Sequence, residues 1–249
     1  MSAALTGAGR RFRPSLWATV FTVPAVLIML GLGTWQAQRL SWKNDLIQRV
    51  QERMASPPAP LPATIADPEP FDLRPVTVSG RLLHEREMLL LARPRQGQVG
   101  YEVVTPLERA DGGPPVLVNR GWVPMDKRDP ATRREGQAGG EVTIRGVARQ
   151  PAPAGWLQPD NVSGAPPKDY IWRRADTVAM GAAAGLPTVA PLVVEALPGQ
   201  VPGGLPAGIE PRVELPNNHL QYAVTWYSLA ATLLVIYVLF HLRRPRERA

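Results

Sequence analysis

The chain has 249 residues and no cysteine, and its 28 Lys and Arg against 21 Asp and Glu give a formal charge of +7. Without cysteine it can have no disulfide framework, no copper site built on cysteine pairs and no covalent haem attachment through Cys-x-x-Cys-His. Arginines at the two termini supply most of the excess charge, and no basic patch is interleaved with aromatics, so nucleic-acid binding is set aside.

The N-terminal part predicts a basic tail followed by a membrane-spanning helix. The tail, residues 1–15, carries Arg10, Arg11 and Arg13, whereas residues 16–35 contain no charged side chain. A helix of about 20 residues spans a hydrocarbon core of ~30 Å, so residues 16–35 are the predicted first transmembrane helix. The run could instead be the core of a signal peptide, but its length and the lack of a small-x-small cleavage site favour a retained helix.

Residues 36–218 are predicted to form one β-rich domain, entered through a helical extension over residues 36–54. The extension is rich in helix formers and stops at a proline cluster. Runs rich in Val, Leu and aromatics, bounded by Gly or Pro, then predict strands over 76–80, 81–92, 101–107, 116–123, 141–148 and 189–197.

Two shorter features of this domain are also predicted. A single helix is expected over residues 176–184, with Asp176 as its N-cap and Gly185 at its end. Residues 129–140 are polar and rich in Gly and Arg, and we expect them to form a mobile loop.

The C-terminal part predicts a second transmembrane helix over residues 219–242 and a basic tail over 243–249. Four arginines follow this helix, so the positive-inside rule places the C-terminus in the cytoplasm. Two spans put both termini on that side and the domain in the periplasm. The short N-terminal tail leaves no room for a mitochondrial targeting sequence, so we expect a bacterial inner membrane. The predicted fold is an integral membrane protein with two transmembrane α-helices flanking one β-rich (α+β) periplasmic domain, built on an antiparallel sheet or a small barrel.

Motifs for catalysis are lacking, and we do not expect an enzyme. The sequence has no phosphate-binding glycine loop and no nucleophile elbow. Its histidines, His84, His219 and His241, are too far apart in sequence to indicate a zinc site. His84 lies on a predicted strand, where a surface or hydrogen-bonded histidine is commoner than a base.

The densest chemical signal lies at the start of the second span. There His219, Tyr222 and Trp226 share one helical face, and Trp35 and Gln36 at the end of the first span reach the same depth. An aromatic belt explains the Trp and Tyr residues, because these side chains favour membrane interfaces. It explains His219 less well, since an ionisable group at a membrane boundary is a candidate for function.

Several ordered motifs carry a family resemblance. The block NNHLQYAVTWYSLAA at residues 217–231 closely resembles the C-terminal signature of the surfeit locus protein 1 family, membrane factors that assist cytochrome c oxidase assembly. LGTWQ at 32–36, followed by Arg39 and Lys43, is similar to the family's first-helix exit. VNRGWVP at 118–124 and GYEVVTP at 100–106 resemble its central motifs.

This resemblance implies a bacterial factor that receives or hands over haem A during maturation of the oxidase catalytic subunit, with haem A synthase as a second partner. A histidine of the second span is then the iron ligand, which is His219 here. The expected cofactor-binding residues are His219, Tyr222, Trp226, Trp35, Gln36 and Arg39. Arg39, Lys43 or Arg120 would face the haem propionates.

The iron is expected to have a single protein ligand. His241 lies about 33 Å along the helix from His219, so the two cannot bind one iron, and a single protein ligand is the simpler hypothesis. The alternative is a cofactor-free scaffold that stabilises an oxidase assembly intermediate, in which Tyr101 and Trp122 are packing residues and His219 only hydrogen-bonds across helices. An enzyme acting on haem would need paired or multiple histidines.

Overall fold

The computed structural model describes residues 11–12, 14–92, 94–95, 97–152, 161, 170–211 and 217–243, so most of both predicted basic tails lies outside the described residues. The chain divides into two compact units. The first is a helical unit, Met1–Arg49 with Glu214–Ala249, and the second is a β-rich unit, Val50–Val213.

The elements follow one another along the chain in a simple order. The helices are α1 (Leu16–Met54), α2 (Thr177–Ala183) and α3 (His219–His241). The strands are β1 (Arg11–Phe12), β2 (Ala59–Pro60), β3 (Pro75–Leu82), β4 (Met88–Leu91), β5 (Gly100–Arg109), β6 (Val116–Pro124), β7 (Glu141–Arg149), β8 (Ile171–Trp172), β9 (Val193–Ala196) and β10 (Leu242–Arg243). Short 3-10 segments, among them His84–Arg86 and Pro130–Gly136, lie in the connections.

The helical unit is an antiparallel pair of long helices. Both α1, with 39 residues, and α3, with 23, are long and apolar enough to cross a membrane, which indicates a membrane protein. Pro24 lies within α1 without ending it. The predicted first span and the predicted extension therefore belong to one continuous helix.

Small residues let the two helices approach closely. Val26 and Gly33 on α1 and Ala223 and Ala230 on α3 are buried, each pair two turns apart on one face, and His241 at the end of α3 is buried as well. A Cβ atom at Gly33 would lie only 2.9 Å from the ring of Tyr227, so the tyrosine packs directly on the glycine backbone. Close packing of small residues is a usual basis of helix association in membranes, where no hydrophobic force drives it.

The β-rich unit is a small closed barrel. Its strands pair in the order β3-β7-β9-β6-β5, and β5 returns to pair with β3 through Gly80–Leu82, which closes the ring. All of these pairings are antiparallel except β6–β9, which is parallel. The two predicted apolar helices and the predicted β-rich domain are confirmed. The domain was predicted to be either an antiparallel sheet or a small barrel, and the structure has the barrel.

Apolar side chains fill the barrel and cover part of its outer face. Val78, Leu107, Val118 and Val194 belong to the interior cluster, in keeping with the alternation of their strands. On the outer face, Met180 of α2 is part of a second cluster. As predicted, Asp176 caps α2 by accepting a hydrogen bond from the Ala179 N–H at 3.0 Å, and Gly185 follows the helix with φ +67°.

Three predictions within the domain are wrong in detail. The predicted strand over 81–92 is interrupted, because β3 ends at Leu82, the His84–Arg86 turn follows, and β4 begins at Met88. The predicted mobile loop over 129–140 contains the ordered segment Pro130–Gly136, in which Arg133 is buried. The predicted strand over 189–197 is shorter, since β9 covers only Val193–Ala196.

Candidate functional site

The start of α3 brings two predicted site residues together. His219 is the first residue of α3, and its Nδ1 lies 2.7 Å from Oε1 of Gln36 on α1. A carboxamide oxygen can only accept, so the imidazole donates from Nδ1–H, and in the neutral ring the lone pair resides on Nε2. An imidazole in this tautomer can bind a metal through Nε2 while its other nitrogen is held by the protein.

The remaining predicted site residues lie around this pair without joining it. Trp226 is half-buried two turns further along α3. Trp35 and Tyr222 keep 54% and 55% of their surface exposed within the helical unit. The guanidinium of Arg39 lies 4.0 Å over the ring of Trp42, a cation–π contact within α1. Among the described residues, His219 forms its side-chain hydrogen bond with Gln36 and with none of these four.

Two further polar pairs flank Gln36 and His219, and we call the three pairs the polar ladder. Asn217 Nδ2 donates to Asn44 Oδ1 at 2.8 Å, and the hydroxyls of Thr34 and Tyr227 lie 3.1 Å apart. The ladder therefore ties α1 at three places to α3 and the residues just before it. Outside the ladder, the hydroxyls of Thr19 and Tyr237, 2.7 Å apart, also join the two helices. The sequence placed Gln36 at the depth of His219, but it gave no indication that Asn44 pairs with Asn217.

The barrel holds a different polar centre, which the sequence did not predict. Glu87 accepts a hydrogen bond from Arg133 Nη1 at 2.9 Å and a second from its Nη2, and Arg120 Nη1 lies 3.8 Å from the same carboxylate. The Glu87, Arg120 and Arg133 side chains are 6%, 3% and 1% exposed. We call these three residues with His84 the ion cluster.

Hydrogen bonds hold both ring nitrogens of His84 and both terminal nitrogens of Arg120. The His84 ring donates from Nε2 to the Ala138 carbonyl at 3.0 Å and accepts at Nδ1 from Arg120 Nη1 at 3.3 Å, and Arg120 also donates to the Gly136 carbonyl. Burial lowers the pKa of Arg120 to about 10, an effect that Glu87 opposes and Arg133 reinforces. His84 is thus a satisfied histidine. Because Arg120 is buried and paired, the expectation that it faces haem propionates is wrong.

The two central sequence motifs pack against each other as one unit. Asn119 Nδ2 donates to Glu102 Oε2 at 2.6 Å, joining β6 to β5. Gly121 has φ +116°, and a Cβ atom there would overlap the carbonyl oxygen of Ala207. Gly100 lies under the ring of Trp122, where a side chain would have no room. These motif residues hold strands together.

Two carboxylates on the outer face of the barrel are held in an unfavourable setting. Burial raises the pKa of Glu102, and the hydrogen bond from Asn119 opposes the shift. Burial also raises the pKa of Glu195, opposed by Arg149 3.6 Å away and reinforced by the charge of Glu102. In the sequence, the only indication of these two buried carboxylates is that each glutamate is a charged residue within an apolar run of a strand.

A cavity of about 860 Å³ opens beside the ion cluster. Its lining is mixed, with Leu89, Met125 and Tyr170 next to Glu85 and Asp126. The volume is that of a small-molecule pocket. However, the histidine in this lining is His84, whose ring nitrogens are both engaged, so the cavity offers no imidazole for a metal. Among the described residues, no group of three His, Cys, Asp or Glu could hold a metal ion.

Comparison with known proteins finds one family over most of the chain. The SURF1 family model matches residues 23–231. Surfeit locus protein 1 of Homo sapiens is 38% identical over 216 residues, covering 81% of this chain and 70% of the relative. Surfeit locus protein 1 of Xenopus tropicalis is 36% identical over 216 residues, covering 81% and 68%. A SURF1-like protein of Monosiga brevicollis is 34% identical over 248 residues, covering 95% and 91%.

Proposed function

Because the chain belongs to the SURF1 family, we propose that it is a membrane-anchored, non-enzymatic factor that assists the assembly of cytochrome c oxidase. Its partners are the oxidase catalytic subunit and haem A synthase. Haem A is its cargo, received and handed on during maturation of the catalytic subunit. The observation that carries this proposal is the hydrogen bond between His219 and Gln36, which leaves Nε2 of the imidazole with a lone pair.

The residues around His219 fit such a cargo in chemical character. A neutral imidazole is a normal axial ligand of haem iron, and His219 lies at the end of an apolar helix. A porphyrin there can keep its hydrophobic tail among apolar side chains and lipid while its propionates meet water. One protein ligand also suits a carrier, because a single bond to iron must be broken on delivery. His219 is the proposed ligand, and Trp226 and Tyr222 on the same helix supply apolar surface.

We further propose a bacterial inner membrane with both termini in the cytoplasm and the barrel in the periplasm, on the strength of the arginines that follow α3. The absence of native cysteine allows a direct test. Val178 on α2 is 80% exposed, so Val178→Cys should react in whole cells with a membrane-impermeant maleimide. Ala249→Cys at the last residue should react only after lysis. Labelling of Ala249→Cys in intact cells would refute this orientation.

The haem proposal is tested with His219→Ala in the full-length protein, purified from cells that make haem A. We expect the variant to lose the bound haem and its Soret band. His241→Ala is the matched control, because it removes a histidine from the opposite end of the same helix. An unchanged haem content and spectrum in His219→Ala would disprove the ligand role.

The second candidate function is the cofactor-free scaffold. It is favoured by the packing roles of Trp122 and Gly100 and by the fact that His219 already bonds across the helices. Co-purification with oxidase subunits, together with the colour of the preparation, distinguishes the scaffold from the haem carrier. A scaffold binds oxidase subunits equally well with His219 or alanine and is colourless in both forms, whereas a haem carrier loses its colour with the substitution.

A further inference from the structure

Gln36 is placed to decide which nitrogen of His219 carries the proton. Its Oε1 lies 2.7 Å from Nδ1, within the range of a good hydrogen bond, and both side chains are partly buried between α1 and α3. An isolated neutral imidazole can carry its proton on either ring nitrogen. An acceptor fixed at Nδ1 selects one tautomer and one ring orientation.

We propose that Gln36 is a positioning residue, which holds His219 in the Nδ1–H tautomer so that Nε2 is available to the iron of the cargo. The inference rests on the proposed function, since it concerns the same histidine. Gln36 itself does not touch the iron. It acts by orienting the ring and by making Nε2 a better electron donor through the hydrogen bond at Nδ1.

The chemistry of the acceptor fits a carrier. A carboxylate at this position would pull the Nδ1 proton more strongly, strengthen the bond from Nε2 to iron and make release harder. A carboxamide is a neutral acceptor of intermediate strength. Gln36 therefore orients the imidazole while it keeps the ligand weak enough to release what it holds.

The polar ladder makes this role separable from helix packing. Asn44 with Asn217 and Thr34 with Tyr227 tie the same helices on either side of Gln36. Loss of the Gln36 side chain should therefore leave the helices paired. Asn44→Leu is the matched control, because it removes a cross-helix hydrogen bond from the same ladder without touching His219.

The first measurement does not depend on bound haem. In the full-length haem-free protein labelled with ¹⁵N-histidine, the ring nitrogens of His219 are identified by their absence in His219→Ala. We expect Nδ1 to be protonated in the native protein and in Asn44→Leu. In Gln36→Leu we expect a mixture of both tautomers. A single unchanged tautomer in Gln36→Leu would overturn the inference.

The second measurement uses the protein loaded with haem A. Outer partners of metal ligands typically contribute 10- to 100-fold in affinity, so Gln36→Leu should bind haem A roughly tenfold more weakly and raise the reduction potential of the iron. Gln36→Glu should bind more tightly and lower the potential. Unchanged affinity and potential in both variants would overturn the inference.

The outcomes separate the inference from the proposed function. If His219→Ala loses haem while the Gln36 variants behave as native, only the positioning role is disproved. If His219→Ala retains haem unchanged, the proposed ligand role of His219 fails, and the positioning role fails with it. Should Gln36→Leu not fold, Gln36→Glu decides alone, because an unchanged potential in that variant contradicts the proposal.

Discussion

The ion cluster of the barrel and the polar ladder of the helices are both built from polar side chains between packed elements, but they satisfy those groups in different ways. In the ion cluster, one carboxylate serves two guanidinium groups, and His84 uses both ring nitrogens. In the polar ladder, each pair makes one neutral hydrogen bond between the two side chains, and among the described residues Nε2 of His219 has no hydrogen-bond partner.

This difference separates a structural centre from a candidate binding site. A buried charge that loses its partner is strongly destabilising, so the ion cluster must stay complete for the barrel to fold. Neutral hydrogen bonds between membrane helices contribute much less, about 0.6 kcal/mol on average. The helical unit can therefore keep a histidine nitrogen available without a large loss of stability.

Glu87→Ala should cause the largest effect. It leaves the buried guanidinium groups of Arg120 and Arg133 without their carboxylate, and we expect the free energy of unfolding of the barrel to fall by about 3–5 kcal/mol. Chemical denaturation of the full-length protein in detergent measures this. Glu108→Gln is the control, since its ion pair with Arg81 is exposed and its loss should change little. Equal effects of the two substitutions would show that the buried ion cluster stabilises the barrel no more than an exposed ion pair does.

Gly121→Ala should cause the next largest loss of stability. The residue has φ +116° and its backbone lies against Ala207, so a methyl group both strains the chain and collides with the neighbouring carbonyl. We expect a loss of about 1–3 kcal/mol from the strain, before any rearrangement of Ala207. Gly139→Ala, with open space around the added methyl, is the control. A native denaturation midpoint in Gly121→Ala would contradict the close packing of the motif.

Glu102→Gln should have a smaller effect, the loss of a pH-dependent contribution to the free energy of unfolding. Burial raises the pKa of Glu102 above its ordinary value of 4.5, so the folded state favours the protonated form. The native barrel should therefore gain stability as pH falls from 7 toward 4.5, and that gain is lost as pH rises through the folded-state pKa. In Glu102→Gln this part of the pH dependence should vanish. An unchanged profile between pH 4.5 and 7 would show that Glu102 is not desolvated.

Thr34→Val should have the smallest effect. It removes the hydroxyl that lies 3.1 Å from that of Tyr227 and keeps the shape of the side chain. We expect a loss of about 0.6 kcal/mol, measured by thermal unfolding in detergent, with haem content unchanged. A loss as large as that of Glu87→Ala would mean that the polar ladder is as structural as the ion cluster.

The elements that the sequence predicted well are those set by local pattern. Uncharged runs predicted α1 and α3, runs rich in Val and Leu predicted β6 and β7, and Asp176 predicted the start of α2. Depth along two helices was sufficient to place Gln36 near His219, because the position of each in its span is a local property.

The features that the sequence missed depend on residues far apart in the chain. Arg133 was assigned to a mobile loop because arginine is usually exposed, and its partner Glu87 lies 46 residues away. The run over 81–92 resembled one strand, yet the turn at His84 is fixed by the Ala138 carbonyl and by Arg120. Closure of the barrel through β3 and β5 likewise has no local signal.

The long separation of α1 and α3 has a consequence for synthesis of the protein. Roughly 160 residues lie between the end of α1 at Met54 and the start of α3 at His219. At about 5–20 residues per second, a ribosome needs on the order of 10 to 30 s to make them. Gln36 and Asn44 are therefore without their partners in the nascent chain until His219 and Asn217 have been made. The proposed cargo site therefore cannot form before α3 is made, so a nascent chain that has only α1 and the barrel cannot capture haem there.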